Sequence, residues 1–73
     1  MDFLNKLERD FKTLEQDFNA LDKNNKNDLG KMKDNALSLL STLKRNQDKP
    51  ENKELEDNYE DLIYEVIDIV GQL

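Results

Sequence analysis

Cysteine and histidine are both missing from this 73-residue chain, and the two absences remove most of the usual protein chemistry. Without cysteine there is no disulfide and no thiolate metal site. Without histidine the chain lacks the commonest transition-metal ligand and the commonest acid–base group near neutral pH. Glycine occurs only as Gly30 and Gly71, too seldom for a phosphate-cradling loop. Long hydrophobic runs are also lacking: Leu39-Leu40, Leu62-Ile63 and Ile69-Val70 are typical, whereas a membrane span needs about 20 predominantly apolar residues. The opening Met1-Asp2-Phe3 has no basic stretch leading into an apolar one, so no signal peptide is expected and a cytoplasmic location is the default.

A chain of this length makes one domain, residues 1–73, and a core of that size rarely supplies more than roughly 3–5 kcal/mol of net stability. With no covalent or metal staple, that stability must come from regular helix packing or from association. Apolar residues make up 36% of the chain and charged ones 38%, too apolar and too periodic for a disordered segment. The excess of lysine over arginine and the many Asn and Asp residues match AT-rich coding DNA, as in many bacteria and their phages.

Three amphipathic segments follow one another. Leu4, Leu7, Phe11, Leu14, Phe18 and Leu21 recur at alternating intervals of 3 and 4, the period of a single helical seam, with Asp2 as the expected N-cap. Residues 22–28 are Asp, Asn and Lys only, a turn composition. Extended by its own period, the first seam lands on Asn25, Asp28, Asn35 and Thr42, so a turn is preferred to one unbroken helix. A second stripe restarts behind Asp28, the expected cap, with Leu29, Met32, Ala36, Leu39, Leu40 and Leu43. Gly30 in its first turn costs about 1 kcal/mol relative to alanine, which predicts a frayed start. Lys44 and Arg45 suit the negative end of that helix. Pro50 suits the first turn of a third helix, Asp48 and Glu51 have the spacing of a capping box, and Gly71 is the expected terminator. Its seam is Leu55, Tyr59, Leu62, Val66, Ile69 and Leu73.

These boundaries, about 3–22, 29–45 and 50–70, predict an all-α fold: an antiparallel up-down-up three-helix bundle, since short links force sequence neighbours to lie antiparallel. The alternative is a helical hairpin that completes its core by dimerising. Charge is uneven: −3 over residues 1–22, +4 over 23–49 and −7 over 50–73, which together give the net −6. Opposite signs are expected to favour pairing of the middle helix with both outer ones, each exposed pair contributing about 0.2–1 kcal/mol.

Catalysis is not expected. The hydroxyls of Thr13, Ser38, Ser41, Thr42, Tyr59 and Tyr64 have no histidine or cysteine beside them, and neighbouring acids such as Glu60 and Asp61 read as a solvated helix face. No cofactor is expected. Asp22, Asn24, Lys26, Asp28 and Leu29 echo a calcium-binding loop, but Lys26, Asn27 and Lys33 stand where that loop needs a ligand, a glycine and a bidentate glutamate, so no metal is expected either. Direct nucleic-acid binding is disfavoured, because the basic middle third is flanked by acidic segments and lacks interleaved aromatics.

The third segment carries more apolar surface than its seam requires. Ile63, Ile67 and Val70 widen the stripe to one side, and Tyr64 stands among acids as the expected exposed aromatic. A helix wedged between two others needs such width; a surface that takes a partner or a second copy has it too. Its acidic polar face disfavours an anionic membrane surface. The reading favoured by sequence is a small, non-catalytic protein-binding regulator of the inhibitor, adaptor, antitoxin or immunity-protein kind. It would use Ile63, Ile67 and Val70 as anchors, with Tyr64 as a further contact and Glu60, Asp61 and Asp68 for electrostatic steering. The alternatives are a self-associating assembly module, hence a homo-oligomer, and an acidic mimic that blocks a nucleic-acid-binding protein. Three-helix modules serve all these roles, so fold alone does not choose.

Overall fold

A computed structural model describes residues 3–73. Three helices, α1 (Phe3–Asn19), α2 (Lys26–Gln47) and α3 (Glu56–Gln72), pack against one another as an antiparallel up-down-up bundle. A 3₁₀ segment, Pro50–Leu55, joins α2 to α3. The described molecule is elongated, 42 × 19 × 15 Å, as expected for helices lying side by side.

Each predicted seam points inward. Leu4, Leu7, Phe11 and Leu14 of α1 are buried, with Phe18 packed against them. Met32, Ala36 and Leu43 of α2 meet Tyr59, Leu62, Ile63, Val66 and Ile69 of α3 in the same cluster. Tyr59, Leu43, Val66 and Ala36 are fully enclosed. Burying a Leu-sized side chain is worth roughly 1.5–3 kcal/mol, so this cluster is the main source of stability. The most extensive interface is between α2 and α3.

The helix ends depart from the sequence expectation. Asp2 falls outside the described residues. α1 stops at Asn19, short of residue 22, because the chain turns on Asp22: its Oδ1 accepts from the Asn24 N–H at 3.0 Å and its carbonyl from the Asn25 N–H at 3.0 Å. α2 starts at Lys26, earlier than expected, because Asn25 and not Asp28 is the cap. The Asn25 Oδ1 accepts from the N–H groups of Asn27 and Asp28 at 3.1 and 3.2 Å. Gly30 therefore lies a full turn inside the helix and is not at its end.

The second junction is also rebuilt. Asp48 and Glu51 make no capping box: Lys49 precedes the 3₁₀ segment without a side-chain cap, and Pro50 opens that segment while α3 begins only at Glu56. Side-chain amides hold the corner. The Asn52 Nδ2 donates to the Asn46 carbonyl at 2.9 Å, and the Gln47 Nε2 to the Glu56 carbonyl at 3.3 Å. Asn46, the buried polar residue of the described chain, donates from Nδ2 to the Thr42 carbonyl at 2.7 Å. At the far end α3 runs through Gly71 to Gln72, and Gly71 adopts no positive φ, so it does not terminate the helix.

These ends make a direct prediction. Asn25→Ala should lower unfolding free energy by about 1 kcal/mol, the usual cost of losing an N-cap, and Asp28→Ala by clearly less. Urea titrations followed by circular dichroism measure both; equal losses would return the cap to Asp28.

Candidate functional site

Grooves between the helices are shallow. One of about 390 Å³ lies between α1 and α2 and includes Thr13, Asn35, Ser38 and Thr42. Its most reactive-looking group is already engaged, since the Thr42 hydroxyl donates to the Ser38 carbonyl at 3.0 Å, the back-bond usual for threonine within a helix. In the loop that echoes a calcium site, Asp22 and Asn25 point their oxygens at backbone N–H groups. That loop works as a pair of backbone caps. Among the described residues no three acids stand together in a way that would hold a metal ion.

The α2–α3 side is different in kind. A depression of about 360 Å³ is lined by Lys44, Gln47 and Asp48 from α2 and by Glu60, Ile63, Tyr64 and Ile67 from α3. Four of the seven residues singled out in the sequence bear on this one place: Glu60, Ile63, Tyr64 and Ile67. Ile67 is 42% exposed and Tyr64 60% exposed. The Tyr64 hydroxyl leans toward Glu60 Oε1 at 3.4 Å, long for an O–H···O bond. Val70 is half-buried against the core.

Ile63 has a different role from the one expected. It is only 6% exposed and belongs to the core cluster, forming the floor of the depression and not a free anchor. The wedge explanation therefore holds for Ile63, while Ile67, one turn further on, stands outside it. The acids are divided too. Asp61 and Ile63 flank Leu62, so they diverge to opposite sides of α3. Asp68 lines the groove on the α1 side, together with Glu15 and Phe18. Of these three acids, Glu60 alone lines the depression with Ile67 and Tyr64.

Sequence reasoning missed Leu37 and Lys44. Leu37 is 42% exposed and belongs to no seam. It lies seven residues, about two turns, before Lys44, and so stands in line with it on the α3 side of α2. An apolar residue off the α2 stripe was the available signal. The antiparallel register puts Leu37 level with Ile67, counting outward from the Gln47–Glu56 contact. Two large exposed aliphatics on neighbouring helices thus share one face.

Direct charge pairing between helices, expected from the alternating signs, is not made. Among the described residues one ion pair lies within 4.0 Å, Lys6 with Asp10 at 3.0 Å, and it is internal to α1. Lys44 and Glu60 line the same depression without bonding to each other. No protein-family model matches the chain, and neither a curated protein nor a solved structure matches it.

The contrast between Ile63 and Ile67 is measurable. Ile63→Ala should cost about 2–4 kcal/mol as a cavity-forming core change. Ile67→Asp, at an exposed helix position, should stay within about 1 kcal/mol of the parent. Denaturant midpoints that rank the two the other way would show that Ile67 is the packed residue.

Proposed function

We propose that this chain is a non-catalytic protein-binding regulator that docks its partner on the α2–α3 face. The observation that carries the reading is the exposure of Ile67 and Tyr64 along the α2–α3 depression, with Leu37, also 42% exposed, placed level with Ile67 by the helix register. Scattered single hydrophobes are ordinary on a protein surface, whereas neighbouring ones on two helices form a patch that gains by being covered. Tyr64 adds the kind of anchor that interfaces favour, a large ring with a polar tip and little rotamer entropy to lose. Lys44 and Glu60 supply charge of both signs at the edge, which orients a partner more than it strengthens binding.

The anchors differ from those expected from sequence alone: Ile63 supports the surface from beneath, and Leu37 joins Ile67 and Tyr64 on top. Asp61 and Asp68 act at a distance, through the acidic field of α3 on approach. No helix among the described residues is long and apolar enough to cross a membrane. A partner in the cytoplasm fits that feature and the absence of cysteine.

The test compares tagged parent with Leu37→Asp/Ile67→Asp in affinity capture from the host cell, with circular dichroism to establish that both fold. Retention of a protein by the parent and its loss from the variant are the expected result. Retention by both moves the site elsewhere. Loss with high salt alone, with the variant binding as the parent does, would favour the acidic nucleic-acid mimic.

A further inference from the structure

The α2–α3 face carries opposite charges on its two edges around an apolar middle. On α2, Lys26, Lys33, Leu37 and Lys44 are all exposed and fall in one line, because their spacings of 7, 4 and 7 are close to whole turns. On α3, Glu56, Glu60, Tyr64 and Ile67, spaced 4, 4 and 3, form the facing ridge, and all are exposed. One ridge is basic with a leucine in it; the other is acidic with a tyrosine and an isoleucine. Neither ridge discharges onto the other within the chain, since no ion pair links α2 to α3 among the described residues.

Such a face is complementary to itself at two levels, Lys44 with Glu60 and Leu37 with Ile67, counted from the Gln47–Glu56 contact. We propose that its occupant is a second copy of this chain, related by a two-fold axis running lengthwise along the α2–α3 groove. This rests on the reading of that face as a docking surface and names the partner. The axis preserves height and exchanges the helices, so α2 of each protomer lies over α3 of the other. Lys44, which shares a groove with Glu60 in its own chain, then stands over Glu60 of the partner subunit. Leu37, level with Ile67, covers Ile67 of the partner subunit. Every contact occurs twice, as an isologous interface requires. The alternative two-fold axis, across the helices, stacks α2 on α2 and brings its lysine ridge against itself.

Size and stability point the same way. A standard interface takes about 800 Å² from each partner. The chain has 5323 Å² of accessible surface, of which such an interface is about one seventh. For a domain of this length without disulfide or metal, association is one of the few remaining ways to add stability.

Charge exchange tests the arrangement on folded protein, because Lys44 and Glu60 are both exposed. Sedimentation equilibrium of the parent should show a monomer–dimer equilibrium. Lys44→Glu alone and Glu60→Lys alone should each raise the dimer dissociation constant by about tenfold or more, since each places two like-charge pairs in the interface. An equimolar mixture of the two single variants should restore parent-like association, because the heterodimer pairs every 44 with an opposite 60. A parent that is monomeric up to about 1 mM, a thousandfold above a micromolar dissociation constant, overturns the proposal. So does a dimer indifferent to both reversals, or one that the mixture does not rescue. If the parent is monomeric yet Leu37→Asp/Ile67→Asp abolishes capture of another protein, only the choice of partner fails. If it is monomeric and capture is unaffected, the docking face fails with it.

Discussion

The α3 helix must satisfy two neighbours at once, and the rest of the architecture follows from how it does so. Its Leu62 and Ile69 line continues the seam that α1 needs, while Tyr59, Ile63 and Val66 turn toward α2. The chain has no cysteine and so no disulfide to share the load, and this wide apolar arc is what closes the core. An arc that wide does not end abruptly. Ile63 falls inside the closed region and Ile67 just beyond it, at 6% and 42% exposure. The exposed strip on the α2 side is thus the continuation of the core and not a separate feature added to the surface. Any partner seated there extends the hydrophobic cluster of the bundle outward by one more layer.

Periodicity made the fold legible because it is the record of what must be buried. Seams at intervals of 3 and 4 named nearly every core residue, and their lengths and links left few topologies. Helix ends were less legible. Asn25 and Asp28 are both acceptable caps by residue type, and the choice depends on which set of backbone N–H groups is left unpaired by the preceding turn at Asp22. The Pro50 junction was misread for a similar reason. Asp48 and Glu51 have the right spacing for a capping box, but Asn46, Gln47 and Asn52 bond across the corner instead, an arrangement that involves residues too far apart for a local motif to announce.

The surface was legible only in part. The sequence marked the helix with the widest apolar stripe and two of its exposed residues, Tyr64 and Ile67, but it could not apportion that stripe between core and solvent without the position of α2. Leu37 shows the complementary difficulty. It is conspicuous only when the register between α2 and α3 is known, because its significance lies in standing level with Ile67. Charge patterning gave the sign of each segment correctly but suggested contacts that side chains on adjacent exposed faces do not make, as expected when water competes for every lysine and glutamate.

The amide bonds at the Asn46–Asn52 corner have a consequence for how the molecule comes together and apart. They bind α2, the 3₁₀ segment and α3 into one continuous hairpin, the pair with the most extensive interface. The turn between α1 and α2 has bonds only among its own near neighbours. Cooperative units in proteins follow such boundaries, so the slowest amide exchange is expected in α2 and α3 and earlier opening in α1.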